Sequence, residues 1–171
     1  THNEAALVGR ALREHGVQSV LLQQQSVFDT EEARAMGALL SFCLYPKHTE
    51  TLRFLLGSVF YDQTAAELAA LNDDEQQLGD WMAQAEAAAD LWRQHGVYAA
   101  LAHFARETGL ERHLLAIRNE RSLTNFWHLA ELLAQAAAGL PAPEALPEWL
   151  AAQAGQGGGQ DRQLRLESDE N

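Results

Sequence analysis

Apolar residues return at helical spacing along nearly the whole chain, and this periodicity leaves few folds open to it. Leu52, Leu55, Leu56, Val59 and Phe60 fall at i, i+3, i+4, i+7 and i+8, a stripe that a helix gathers onto one face. Met36, Leu39, Leu40 and Cys43 repeat the pattern until Tyr45-Pro46 ends the run, because a proline pushes the residue before it out of helical geometry. Leu78, Trp81, Met82, Ala85, Ala89 and Trp92 predict the longest helix, closed by Gly96. Tyr98, Leu101, Phe104 and Ala105 predict another, ending near Gly109. Leu110, Leu114 and Ile117 form a shorter apolar group, and Phe126, Leu129, Ala130, Leu133 and Ala137 a further stripe up to Gly139. Leu55, Leu56, Trp81 and Phe126 are therefore expected in the core. Trp92 and Trp149 also lie on apolar stripes, whereas Trp127 sits beside its stripe and is expected as a partly exposed contact residue.

The polar residues punctuate these stripes. Asp29 and Glu32 have capping-box spacing, with Asp in the usual Ser/Thr place, and Thr64 and Glu67 have it in the standard form. Pro147 fits the start of a last helix around Trp149-Leu150, since a proline inside would cost about 3 kcal/mol. The first 25 residues read differently: a helix from Asn3 to Glu14, then Gly16, then the β-branched, apolar run Val17 to Leu22. At the other end, Gly155 to Gln160 reads as a flexible loop, with Gly157 to Gly159 tolerant of insertion. Gln163 to Glu167 alternates Leu164 and Leu166 with polar residues, as a short strand would. The organisation expected is an α/β edge over residues 1–25, a helical body over 26–154, and a loop with a returning strand over 155–171.

Charge narrows the function classes. The 171 residues carry 24 Asp+Glu against 12 Lys+Arg, a formal net charge of −12. A self-sufficient nucleic-acid binder places several Lys/Arg on phosphates, and here Lys47 and the arginines are scattered and outnumbered. Cys43 is the single cysteine, which fits a reducing compartment. No apolar run reaches the roughly 18 residues of a membrane span. There is no basic-then-apolar leader, and a cytoplasmic location is expected.

Candidate chemistry is sparse. Asp74-Glu75-Gln76-Gln77 has the letters of a helicase Mg²⁺-holding DExx box. Such a box follows an apolar strand, however, and the preceding Leu68-Ala69-Ala70-Leu71 reads as helix. The sequence holds no G-x-x-x-x-G-K-[ST] phosphate loop. An acidic helix start is the better reading of Asp74 to Gln77. His2, His15, His48, His95, His103, His113 and His128 show no H-x-x-x-H pair, and Cys43 has no thiol partner for a metal. Cys43 lies on an apolar stripe, as a core thiol does. Glu31-Glu32 and Asp73-Asp74 are sequence neighbours, which do not face each other on a helix. No catalytic, cofactor-binding or metal-binding residue is assigned.

The order of segments carries more. Thr1-His2-Asn3-Glu4-Ala5-Ala6-Leu7-Val8 followed by Leu12 to Val17 resembles motif IV of UvrD-like superfamily 1 helicases. Ser26-Val27-Phe28-Asp29-Thr30-Glu31-Glu32-Ala33 through Tyr45-Pro46 resembles their next element. Thr51-Leu52-Arg53, Leu71-Asn72-Asp73-Asp74-Glu75, Leu91-Trp92-Arg93-Gln94-His95-Gly96-Val97, Glu120-Arg121-Ser122-Leu123-Thr124-Asn125 and His128 to Leu133 are similar to the RecB family, beta subunits of exodeoxyribonuclease V. So is Arg165-Leu166-Glu167-Ser168-Asp169, the stretch that family carries before motif V.

The resemblance implies a mainly α fold: the helical accessory (2B) subdomain, with one or two short strands from the edge of the second RecA-like motor domain. It implies a parent that is an ATP- and Mg-dependent DNA helicase and nuclease, acting on double-strand DNA ends with RecC-like and RecD-like subunits in repair and recombination. No cofactor is implied for this stretch. Ala6 stands where the family carries a phosphate-reaching Arg, and Leu56-Gly57-Ser58-Val59-Phe60-Tyr61-Asp62-Gln63 replaces its duplex-gripping Gly-Ile-Gly turn. Both departures weigh against ATP and duplex contact from this stretch. Arg53, Arg93 and Arg121 are the candidates for any DNA contact, because they lie in family-like stretches. Thr1 and Asn171 do not resemble natural termini, so a piece of a larger protein is expected. The competing expectation is a free-standing helical adaptor.

Overall fold

The structure, a computed structural model, describes residues 27–168. The predicted N-terminal helix and the Val17 to Leu22 strand lie outside these residues. Among the described residues eight helices follow one another: α1 (Glu31–Leu44), α2 (Thr49–Gly57), α3 (Ala65–Leu71), α4 (Glu75–His95), α5 (Val97–Glu107), α6 (Leu110–Ala116), α7 (Glu120–Ala137) and α8 (Ala145–Ser168). No strand occurs among the described residues. None of the described helices is long and apolar enough to cross a membrane.

α1 is the hub, packing on α2, α4, α7 and α8. Its stripe is buried as the spacing predicts: Met36, Leu39 and Leu40 are fully enclosed, with Ala33, Ala35, Phe42 and Cys43 beside them. Its start lies one residue later than the Asp29–Glu32 spacing suggests. Thr30 is the cap, its hydroxyl accepting from the Ala33 amide at 3.2 Å and donating to the Val27 carbonyl at 2.7 Å. A hydroxyl can do both at once, whereas the Asp29 carboxylate can only accept. Glu32 is thereby freed from capping and turns inward.

At Thr64 the predicted capping box is present in both halves. The Thr64 hydroxyl accepts from the Glu67 amide at 3.3 Å, and the Glu67 carboxylate accepts from the Thr64 amide at 2.7 Å. These hydrogen bonds hold the exposed Glu67 carboxyl below its usual range. α2 closes at Gly57, so Val59 and Phe60 of its stripe lie in the following turn. Phe60 is nevertheless buried, edge-on to Phe126 at 5.4 Å.

α4 and α5 form the most closely packed pair, joined by Gly96 alone. α4 is 21 residues long, but α8, with 24, is longer. Leu55, Leu56 and Phe126 are fully buried as expected, whereas Trp81 is only half-buried, wedged against Tyr61 and Phe104. Tyr98 and Ile117, taken as stripe members, are 41% and 47% exposed. Each falls at a helix end, where the chain leaves the face that the period describes.

The largest difference lies at the C-terminal side. α8 begins with Pro147 in its first turn, as expected, and then continues as helix to Ser168. The loop predicted over Gly155 to Gln160 and the strand over Gln163 to Glu167 are therefore replaced by helix. Two leucines in alternation are a weak strand signal. The Gln, Arg, Leu and Glu residues around them are strong helix formers, and glycine costs a helix only about 1 kcal/mol each.

Candidate functional site

Asp74, the first residue of the DExx-like sequence, is the N-cap of α4, its carboxylate accepting from the Gln77 amide at 2.9 Å. The preceding segment is helix α3, with no strand to present these residues to a nucleotide. Among the described residues no group of three or more His, Cys, Asp or Glu is arranged to hold a metal ion. Cys43 is 2% exposed, and burial pushes its thiol up to about 12. At neutral pH it is a protonated core group, not a nucleophile.

The candidate arginines are not brought together. Arg53 lies on α2 and donates to Asn72 Oδ1. Arg93 lies on α4 and pairs with Asp90 one turn earlier. Arg121 is exposed in the first turn of α7. No two of these three helices pack together.

Two shallow grooves of about 540 Å³ each flank the helical body. One carries Lys47 and Arg93 against Glu86 and Asp90; the other carries Arg34 and Arg53 against Glu31 and Asp62. In each, the positive and negative side chains match in number. Neither groove focuses the positive potential that would draw in a phosphate chain.

Glu32, Ser122 and Tyr61 spend their polar groups on links within the fold. Glu32, 8% exposed on α1, accepts a 2.6 Å hydrogen bond from the Ser122 hydroxyl on α7, 90 residues away. Burial opposes its charge. Hydrogen bonds, first from the Ser122 hydroxyl and next from its own backbone amide, lead the contributions that outweigh that and hold the carboxyl below its usual range. The Thr108 hydroxyl donates to the Phe104 carbonyl at 2.6 Å, so the Tyr61 hydroxyl donates to Thr108 in turn. Burial raises the Tyr61 phenol, keeping it a neutral donor. Trp127 is partly exposed, as expected, and is also tied into the fold. Its indole N–H donates to Glu111 Oε1 at 3.1 Å, and its ring packs on Tyr98 and Phe126.

The Glu32–Ser122 link carries a pH prediction. A carboxyl whose folded pKa is depressed stabilises the fold above its unfolded pKa, and that stability fades as pH falls through the folded value. Ser122→Ala is expected to cost about 1–3 kcal/mol at neutral pH. Urea unfolding should show this loss shrinking as pH falls through the lowered folded value and Glu32 becomes protonated. A loss independent of pH would mean that the bond does not act through the carboxylate.

Sequence reasoning missed the Glu32–Ser122 and Tyr61–Thr108 links, because periodicity tells which face a residue occupies but not which partner it meets. It also missed the exposed corner formed by Leu115, Ile117 and Arg118. The only local signal there was Leu115 directly after the core residue Leu114, one position off the stripe.

No family model matches the chain. Three curated proteins, each named RecBCD enzyme subunit RecB, match it almost end to end. The protein from Haemophilus influenzae is 35% identical over 172 residues, covering 98% of this chain and 14% of its own length. That from Escherichia coli is 32% identical over 100% of this chain and 15% of its own length. That from Mycobacterium tuberculosis is 34% identical, with 98% and 15% covered. The chain thus spans about one seventh of the length of the proteins it matches. It is, along essentially its whole length, a RecB-type segment.

Proposed function

We propose that this segment is the noncatalytic helical accessory body of a RecB-type ATP-dependent DNA helicase and exodeoxyribonuclease V beta subunit, acting in double-strand break repair. The observation that carries this reading is the end-to-end match to RecB subunits at 32–35% identity. The structure supports the noncatalytic part. The DExx-like residues cap a helix, the single thiol is buried and protonated, and the buried carboxylate holds α1 to α7. In this reading ATP and Mg are used elsewhere in the parent, and the motor's RecA-like domains carry the segment with them. The body orients the motor and docks on RecC-like and RecD-like subunits. Its net charge of −12 favours protein contacts over a grip on phosphate.

The test is direct. The purified 171-residue chain is expected to show no DNA-stimulated ATP hydrolysis and no tight retardation of blunt duplex DNA in a gel shift at physiological salt. Submicromolar, salt-sensitive retardation would overturn the noncatalytic docking role.

A further inference from the structure

The corner between α6 and α7 is built back to back. α6 ends in a Schellman motif: the Asn119 amide donates to the Leu114 carbonyl at 2.8 Å and the Arg118 amide to the Leu115 carbonyl at 3.1 Å. Arg118 has φ +57°, the left-handed position usually filled by glycine, where a side chain costs about 1 kcal/mol or more. Asn119 then caps α7, its side chain accepting from the Ser122 amide at 3.2 Å. Residues 117–119 are thus pinned from both sides, and their side chains project from a fixed backbone.

What the corner presents is unusual for this molecule. Leu115 is 54% exposed and Ile117 47%, two of the five large apolar side chains exposed among the described residues. Arg112, Arg118 and Arg121 are all exposed, so three of the chain's 12 basic residues fall within ten positions. None forms an ion pair among the described residues. Of the two carboxylates in the same stretch, Glu111 is engaged by the Trp127 indole and Glu120 lies at the exposed start of α7. On the neighbouring α5, the Arg106–Glu107 pair neutralises itself.

We infer that this corner is a docking site for an acidic segment, with aliphatic anchors, of a companion subunit. The inference rests on the reading under Proposed function and adds the surface and the chemistry of its partner. Guanidinium groups bind carboxylates in a bidentate fork, and Leu115 with Ile117 supplies an apolar centre that a partner can desolvate. The aliphatic pair offers no aromatic face for base stacking, and the acidic body repels phosphate at long range, so protein is favoured over nucleic acid.

The experiment uses the full-length parent chain, co-expressed with its companion subunits, and measures subunit affinity by analytical ultracentrifugation at several salt concentrations. Leu115→Ser with Ile117→Ser, and Arg118→Glu with Arg121→Glu, should each weaken assembly about tenfold or more. The charge-reversed pair should also flatten the salt dependence. Arg118→Gly separates side chain from backbone: assembly should weaken while the melting temperature holds or rises. Phe54→Ser, at an exposed aromatic on α2, should leave assembly unchanged. Normal assembly of both double variants overturns the inference alone. Normal assembly with lost duplex-DNA binding by the complex assigns the corner to nucleic acid and also overturns it. If the unmodified subunits do not assemble at all, the reading under Proposed function fails and this inference fails with it.

Discussion

Phe126→Ala is expected to cost about 3–5 kcal/mol of folding stability. Phe126 is fully buried on α7, edge-on to Phe60 at 5.4 Å and to Trp127 at 5.0 Å. Phe60 is equally buried but stands in the turn after α2. The ring therefore ties a turn to a helix, and removing it leaves a hole lined by large side chains with little freedom to collapse. The loss has two parts, the transfer energy of the ring and the contacts forfeited around the cavity. For a domain of this size it amounts to a fall in melting temperature of roughly 10 °C. Circular dichroism melts of the purified chain check it. A loss below about half a kcal/mol, the range of surface substitutions, would mean that Phe126 is not enclosed as described.

The second large effect is a matched pair of glycine substitutions with opposite signs. Gly96 serves at once as the last cap of α4 and the first of α5, with φ +88° and ψ 168°. That region is essentially closed to residues with a Cβ, and forcing one in costs about 1–3 kcal/mol. A Cβ at Gly96 would meet nothing within 4 Å, so Gly96→Ala tests backbone conformation with no clash added. It should destabilise the chain, because the reversal of direction between the most closely packed helix pair depends on this residue. Gly155 also has open space around it, but it lies within α8. There Gly155→Ala should stabilise by roughly 0.5–1 kcal/mol by reducing the freedom of the unfolded chain. Urea unfolding of the two variants decides it: equal effects would mean that the α4–α5 junction does not adopt this geometry.

Much of the helical body was legible because the information is local. The Thr64–Glu67 capping box, the stop at Tyr45-Pro46 and the buried Leu52, Leu55 and Leu56 each depend on residues within two turns. Periodicity failed where the chain leaves a helix face, as at Ile117, or where a large ring is covered on one side only, as at Trp81. The Thr30 cap was missed because Asp29 offers the same spacing, and only the Val27 carbonyl, invisible in the sequence, decides for a group that also donates. α8 was cut short because glycine is a weak helix breaker that other residues can outvote. The functional reading depended least on single residues. No motif here identifies a chemistry, and the segment order that resembles RecB is what the matches to named RecB subunits support. The α6–α7 corner was not legible, since the exposure of Leu115 follows from where α6 ends.

Cys43 turns the molecule into its own reporter. It is the only cysteine of the chain, it lies on the hub helix, and its thiol is protonated and shielded from solvent. Cys43 borders a surface groove near the end of α1 yet is only 2% exposed, so a thiol reagent reaches its sulfur when that last turn of α1 loosens. The ratio of its labelling rate to that of an unstructured thiol measures the fraction of time this end of the hub helix spends open. That reading requires no mutation of the 171-residue chain, and mass spectrometry of the Cys43 peptide extends it to the chain held by partners, whatever thiols they carry. Protection that deepens on assembly would show in one number how much the companions stiffen the hub.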